Sequence, residues 1–154
     1  MQIGPLQDGE TGEVVALWER CGLTRPWNDP LADIALARRG PTSDVLIGRR
    51  DGRVVATAMV GSDGHRGWVY YLAVDPDLRR QGLGGAMMRA CEDWVRARGA
   101  PKIQLMVRAG NLATLGFYRA LGYLQEETVI LGKRFDERSW DVTPGPGPSE
   151  APEN

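Results

Sequence analysis

One segment, residues 68–88, constrains the fold of this chain more than any other. It begins with Trp-Val-Tyr-Tyr-Leu-Ala-Val, an apolar run with the length and the aromatic and branched residues of a buried strand. Asp75 and Pro76 end that strand, and the basic, glycine-rich run 79–85 leads into a helix. Such a turn can bind phosphate, because backbone N–H groups and the positive end of the helix dipole face the ligand.

Hydrophobic periodicity and turn residues divide the rest of the chain into a single series of elements. Thr11 and Asp29 are predicted helix caps, and Asp51-Gly52 is a strong hairpin signal. Strands are predicted at residues 2–6, 44–50, 53–61, 68–74, 102–107 and 127–135. Helices are predicted at residues 10–20, from 30 to near 40, from the glycine turn to 99, and from 111 to 122.

The resulting order, β-α-α-β-β-β-α-β-α-β, predicts an α/β fold built on one mixed (α+β) sheet. Three consecutive strands joined by short turns favour an antiparallel meander. The strand–helix–strand unit over residues 68–107 favours a parallel pair with a right-handed crossover. Helices are therefore expected on both faces of the sheet.

Length and composition predict a single globular domain. The chain has 154 residues, of which 42% are hydrophobic and 25% charged, as is typical of one soluble domain. The domain is assigned to residues 1–138. The Pro- and Gly-rich tail, residues 139–154, is predicted to be disordered because it cannot form a core.

Charge and cysteine content exclude several classes of protein. A net charge of −1 gives no general attraction to nucleic acid or membrane, and no apolar run approaches the roughly 18 residues that span a bilayer. Cys21 and Cys91 make no disulfide framework and match no zinc spacing. With no signal-peptide pattern at the N-terminus, the reducing cytoplasm is the expected location.

Three phosphate-binding motifs compete for the glycine turn. A Walker A loop requires Gly-x4-Gly-Lys-Ser/Thr, and the sequence has no such run. A dinucleotide fingerprint requires Gly-x-Gly-x-x-Gly/Ala, which fails because Met87 is the sixth position from Gly82. The third motif, Arg/Gln-x-x-Gly-x-Gly/Ala after a strand ending Leu-Ala-Val-Asp-Pro, is matched by residues 79–84.

This third motif resembles the pyrophosphate loop of the GNAT family, the Gcn5-related N-acetyltransferases. The second half of the chain is also similar, with Asn111, Ala113, Phe117-Tyr118 and Leu121-Gly122-Tyr123 in the family's pattern. The element order is that family's as well, and the resemblance covers about residues 2–135. The loop at residues 26–30, Pro-Trp-Asn-Asp-Pro, further resembles the YpeA-type branch.

The resemblance implies an acetyl-CoA-dependent N-acetyltransferase without a metal, acting on a primary amine in a ternary complex. The backbone of residues 72–74 would pair with the pantetheine arm, and an amide at Leu72 would polarise the thioester carbonyl. Asn111 would contact pantetheine, and Tyr118 would protonate the departing thiolate. The implied cofactor-binding set is Leu72, Ala73, Val74, Arg79, Arg80, Gln81, Gly82, Leu83, Gly84, Gly85, Asn111 and Tyr118.

Several alternatives stay open at the level of sequence. Many family members carry a carboxylate in the strand where this chain has Tyr70 and Tyr71, so the base is undecided between a water chain and an acid such as Asp29 or Asp33. The two tyrosines are expected on opposite faces of the strand. The acceptor is a small-molecule or peptide amine, including a protein N-terminus of the ribosomal-protein type. A non-catalytic acyl-CoA-binding module is the alternative from another class, and the resemblance is compatible with a homodimer.

Overall fold

The computed structural model describes residues 1–108 and 110–136. The predicted domain boundary at residue 138 and the predicted tail, residues 139–154, lie outside the described residues and stay predictions. The strands are β1 (Gln2–Pro5), β2 (Ser43–Arg50), β3 (Arg53–Ser62), β4 (Gly67–Val74) and β5 (Ile103–Leu105). The helices are α1 (Thr11–Arg20), α2 (Pro30–Ala37), α3 (Leu83–Arg96) and α4 (Leu112–Ala120).

The five strands form one mixed sheet in the order β1-β2-β3-β4-β5. Neighbouring strands from β1 to β4 pair antiparallel, whereas β4 and β5 pair parallel. The predicted meander and the predicted parallel unit are therefore both confirmed. Strand β1 lies at the edge of the sheet, where Pro5 costs no ladder hydrogen bond to a strand beyond it.

Two apolar clusters fill the two faces of the sheet. Val45 and Ile47 of β2 belong to the cluster that contains Trp18 of α1, and the intervening Leu46 belongs to the cluster that contains Met87 of α3. Alternate residues of a strand point to opposite faces, so the clusters are separated by the sheet. Burial of each large side chain contributes about 1.5–3 kcal/mol. The prediction of helices on both faces is confirmed.

Two local predictions are wrong. Thr11 is the first residue of α1 rather than its cap, because a 3-10 turn at Asp8–Glu10 leads directly into the helix.

The predicted strand at residues 127–135 is not formed. Leu131 and Phe135 are 90% and 95% exposed. A strand needs a partner for its backbone groups, and β5 at the end of the sheet offers an edge of only three residues.

Candidate active site

Strands β4 and β5 pair over a short distance and then separate. Their parallel register joins Gly67 to Ile103 and Val69 to Leu105. Among the described residues, β4 has no strand partner on that side after Val69. The predicted pantetheine-binding residues, 72–74, lie in this open part of β4. Unpaired strand edges bind extended ligands by adding a strand, so the separation leaves room for such an arm.

A β-bulge lies in the same part of β4. Thr57 pairs with Ala73 and Met59 pairs with Tyr70, so Tyr71 and Leu72 together oppose a single residue of β3. Tyr71 has a φ of 51°, in the left-handed region that a bulge residue can adopt.

The bulge corrects one expectation from the sequence. Tyr70 and Tyr71 were predicted on opposite faces of the strand, yet both side chains line the same cleft. The inserted residue shifts the alternation of β4 by one position, which brings successive side chains to one face. Tyr71 also stacks on Trp18, with ring centroids 4.0 Å apart and an interplanar angle of 9°.

The predicted pyrophosphate loop forms the turn before α3. Gly82 has a φ of 76° at the N-cap, and it provides no capping side chain to the helix. The first intrahelical bond after it runs from the Ala86 N–H to the Gly82 carbonyl, 3.0 Å away. The amides of residues 83–85 thus form the unsatisfied end of the helix, and the first turn holds no acidic residue. These are the features of an anion-binding helix N-terminus.

Three elements meet at Gly84. A Cβ at this position would lie 3.1 Å from the Phe117 ring and 3.7 Å from Val74. The start of α3, the end of β4 and helix α4 therefore converge. A side chain at Gly84 would obstruct a phosphate held at the N-terminus of α3. The closeness of Phe117 means that such a side chain would also disturb the packing of α4.

A partly exposed ion pair holds the turn between β4 and α3. Arg20 of α1 donates to both carboxylate oxygens of Asp75, at 2.8 and 3.2 Å. Asp75 also accepts the Asp77 N–H at 3.0 Å. Burial raises the pKa of the Asp75 carboxyl, but the Asp77 N–H and the Arg20 guanidinium together lower that pKa by more, and the net shift is downward. Asp75 is therefore ionised at neutral pH.

Helix α4 carries the two predicted site residues of the second half of the chain. Asn111 caps the helix, with its Oδ1 accepting the Thr114 N–H at 3.2 Å. Tyr118 packs against the same core cluster as Leu72 and Val74 of β4. Burial, followed by the nearby Cys91, raises the pKa of the Tyr118 phenol to about 12. The phenol thus keeps its proton throughout the neutral range.

The cleft beside the bulge has a volume of about 570 Å³. Of the two candidate bases, only Asp33 lines it. The Tyr71 hydroxyl donates to Asp33 Oδ2 at 2.7 Å. Asp29 instead caps α2, where its Oδ1 accepts the N–H groups of Leu31 and Ala32. Burial, followed by the bond to Asp33, raises the pKa of the Tyr71 phenol to about 12.

The two halves of the site share Arg108. This residue follows β5 and lines the cleft beside the bulge together with Tyr70 and Tyr71. It also lines the cavity beside α4 that contains Tyr118. Sequence reasoning missed Arg108 and the bulge, because neither belongs to a motif. The exposed residues 79–81 of the pyrophosphate loop lie apart from this cleft, before α3.

Comparison with known proteins identifies the class. The chain matches the Acetyltransferase (GNAT) family over residues 12–123. The protein therefore belongs to the GNAT family of acetyltransferases, and the predicted family, fold and enzyme class are confirmed. The family's acetyl donor is acetyl-CoA. The uncapped N-terminus of α3 and the open edge of β4 fit the phosphates and the extended arm of that molecule.

Individual relatives are consistent with this assignment. The chain is 42% identical to acetyltransferase YE1169 of Yersinia enterocolitica over 134 residues, which is 87% of this chain and 95% of the relative. An AAC(6')-Iy structure in complex with a CoA-linked acetylneamine analogue superimposes with a TM-score of 0.75, at 17% identity, covering 86% of this chain and 97% of the other. The ribosomal-protein-S18-alanine N-acetyltransferase of Escherichia coli has a TM-score of 0.67 at 25% identity, covering 79% and 76%.

Two further observations concern metals and membranes. Within residues 1–108 and 110–136, no group of three or more His, Cys, Asp or Glu side chains is arranged to hold a metal ion. No helix in the described part of the chain is both long enough and apolar enough to cross a membrane.

Proposed function

We propose that this acetyltransferase moves the acetyl group of acetyl-CoA to a primary amine of a small molecule by direct attack in a ternary complex. The observation that carries the proposal is the position of β4 between two binding regions. Its open edge faces the gap toward β5, and its bulge faces the cleft of Tyr71 and Asp33. One short segment can therefore contact both substrates at once.

The donor would be held by the residues that the sequence predicted. The backbone of Leu72, Ala73 and Val74 would pair with the pantetheine arm, and an amide at Leu72 would polarise the carbonyl. The amides of residues 80–85 would bind the pyrophosphate, and Asn111 would contact the pantetheine arm. Arg79, Arg80 and Gln81 precede these amides, and Gln81 accepts a hydrogen bond from Arg50 at 3.0 Å. Acetyl-CoA, when bound, supplies the acetyl group as a reactive thioester.

Two protons must move for the transfer to balance. The amine nitrogen gains the acetyl group while the carbon–sulfur bond breaks, one proton leaves the amine, and one reaches the released thiol. Asp33 is the carboxylate in the cleft, and we assign to it the proton that leaves the amine. Tyr118 keeps its phenolic proton, so it can donate toward the departing sulfur.

The two cysteines support direct attack rather than an acetylated enzyme. Cys91 is fully buried, and burial raises the pKa of its thiol to about 12. Only a thiolate is a competent nucleophile, so Cys91 is inert at neutral pH. Cys21 donates its S–H to the Val74 carbonyl at 3.3 Å, and no histidine is among the described residues that line the cleft of Tyr71 and Asp33.

A protein N-terminus is a second candidate acceptor. It is favoured by the 25% identity to the S18-alanine N-acetyltransferase. The volume of the cleft, about 570 Å³, is typical of a small-molecule site, and for this reason we place the small amine first.

The proposal is tested by release of the coenzyme A thiol across a panel of amines. The panel contains small primary amines, the polycation neamine and a peptide with the N-terminal residues of ribosomal protein S18. We expect thiol release with a small amine, accompanied by an acetylated product in the mass spectrum. Release with the peptide alone would favour the second candidate. Acetyl-CoA binding without release for any amine would contradict transfer and favour an acyl-CoA-binding module.

A further inference from the structure

The acceptor cleft contains charges of both signs. Two arginines, Arg25 and Arg108, and one aspartate, Asp33, line it. Of the described residues that line this cleft, two therefore carry a positive charge and one carries a carboxylate. For an enzyme whose acceptor is only an amine, the two guanidinium groups have no evident partner in the ligand.

Arg25 is held in place rather than extended into solvent. Its Nη1 donates to the Gly22 carbonyl at 2.8 Å and to the Thr24 carbonyl at 2.7 Å. Among the described residues, its Nε and Nη2 make no hydrogen bond. The side chain is half-buried at the wall of the cleft. A guanidinium fixed through one nitrogen presents its remaining N–H groups as a pre-organised site for an anion.

Asp33 carries the opposite charge in the same cleft. Its Oδ2 accepts the Tyr71 hydroxyl at 2.7 Å, which fixes the orientation of the carboxylate. Arg25 and Asp33 form no ion pair with each other among the described residues. Arg134 lies within electrostatic reach of Asp33, but its hydrogen bonds go to Asp136 and to the Trp27 carbonyl. The Asp33 Oδ1 and the remaining N–H groups of Arg25 can therefore bind one ligand that reaches from one residue to the other. Asn28, which also lines the cleft, donates to the Tyr71 hydroxyl at 3.4 Å.

Much of the remaining lining of the cleft is apolar. Leu23, Leu36, Ala37 and Met59 contribute to it. We propose that the acceptor is a small primary amine that also carries a carboxylate on an apolar body, with the amine at Asp33 and the carboxylate at Arg25. This inference rests on the proposed function and names the substrate class of the same site.

The same charges select against polycationic acceptors. A molecule with several ammonium groups would bring them against Arg25 and Arg108, and Asp33 is the one carboxylate among the described lining residues that could offset the repulsion. The AAC(6')-Iy structure was determined with a neamine-derived analogue, and we expect neamine to be a poor acceptor here. A shared fold therefore does not imply a shared substrate.

The first test uses the unmodified protein with matched pairs of acceptors. Leucine and 6-aminohexanoate are each compared with their own carboxamide, which keeps the apolar body and removes the negative charge. Rates are compared per concentration of unprotonated amine, because the carboxamide of leucine is also a weaker base than leucine. We expect kcat/KM for the better carboxylate to exceed that of its carboxamide by about tenfold or more, the usual size of a lost charge-assisted hydrogen bond. Neamine is expected to fall below both members of that pair.

The second test removes the guanidinium. Arg25→Met keeps the aliphatic length, and we expect it to bring the carboxylate-to-carboxamide ratio close to one by raising KM for the carboxylate alone. Arg39→Met is the matched control, because Arg39 is exposed after α2 and does not line the cleft. If Arg25→Met fails to fold, Arg25→Lys replaces it, with an expected intermediate ratio because the fork geometry is lost while the charge stays.

The outcomes separate this inference from the proposed function. Transfer to amines with equal kcat/KM for each carboxylate and its carboxamide would overturn the inference and leave the acetyltransferase proposal standing. Preferred acetylation of neamine would overturn it in the same way. Absence of transfer to every amine would overturn both. A ratio in favour of the carboxylate that Arg25→Met abolishes and Arg39→Met preserves would support the inference.

Discussion

Tyr118 illustrates how burial sets the chemistry of a single side chain. Its ring packs edge-on against Phe117 and Tyr123, with centroids 5.0 and 5.6 Å away. With a phenol pKa raised to about 12, the hydroxyl stays protonated up to strongly alkaline pH. A donor of this kind stabilises negative charge as it develops on the departing sulfur without titrating near neutrality.

We predict that Tyr118→Phe lowers kcat by about tenfold or more and leaves the Kd for acetyl-CoA within about twofold, since the lost interaction acts mainly in the transition state. Steady-state kinetics and equilibrium binding check the two values. The matched control is Tyr123→Phe, whose hydroxyl donates to Glu92 at 2.9 Å. That variant is expected to keep kcat. Unchanged kcat in Tyr118→Phe would show that Tyr118 is a packing residue.

Asp75 is the second residue whose charge state has a measurable consequence. The net pKa of its carboxyl in the folded protein lies below the ordinary value. The ionised form therefore stabilises the fold above about pH 4, and this contribution disappears as the pH falls through the lower folded pKa.

We predict that Asp75→Asn lowers the free energy of unfolding by about 1–2 kcal/mol at pH 7, because it weakens a cap and a partly exposed ion pair. The difference from the parent protein should shrink below pH 4. Urea denaturation at several pH values measures it. Asp77→Asn is the control, since Asp77 is 89% exposed and 3.5 Å from Arg20. Equal losses in the two variants would contradict the special role of Asp75.

At the scale of elements, helix α3 offers a pair of equivalent glycines for comparison. Gly82 precedes the helix with a φ of 76°, and Gly99 follows it with a φ of 77°. A Cβ at either position would meet no atom within 4 Å. The two sites thus share their backbone strain and their open surroundings. Only Gly82 adjoins the amides that are proposed to bind pyrophosphate.

We predict that Gly82→Ala and Gly99→Ala each destabilise the fold by about 1–2 kcal/mol, the cost of a left-handed conformation for an L-residue. Gly82→Ala alone should raise the Kd for acetyl-CoA, by about tenfold, because relief of the strain displaces the amides of residues 83–85. Thermal unfolding and isothermal titration check the two effects. Equal affinities for the two variants would argue against the pyrophosphate assignment.

The elements that the sequence predicted well are those that local signals determine. The Asp51-Gly52 hairpin has positive φ at both residues, as its turn type requires. Asp29 caps α2 with Pro30 at the first helical position, as expected.

The elements that were not predicted from the sequence depend on partners distant in the chain. The bulge at Tyr71 exists only through pairing with β3, and residues 127–135 alternate like a strand without a strand edge long enough to receive them.

The same distinction applies to the site. The glycine turn and the cap at Asn111 follow from spacing, because the residues are close in sequence. The Asp33–Tyr71 hydrogen bond joins residues 38 positions apart, and only the folded chain selects Asp33 over Asp29. Arg25 and Arg108 enter the cleft from separate loops, and no motif links them.

At the scale of the whole molecule, the sheet separates two apolar clusters, and its strands β4 and β5 diverge after a short paired stretch. The two core clusters pack on either face, and β4 parts from β5 only beyond Val69. The proposed donor and acceptor regions therefore meet at the bulge, with Arg108 lining both cavities. This layout is what the proposed direct transfer requires, because both substrates would have to be bound at the same time.

The central claim is tested most directly by the initial-rate pattern when acetyl-CoA and an accepted amine are varied together. Direct attack in a ternary complex predicts double-reciprocal lines that intersect, because both substrates are bound before any product leaves. A family of parallel lines, together with an acetylated protein in the absence of amine, would contradict it.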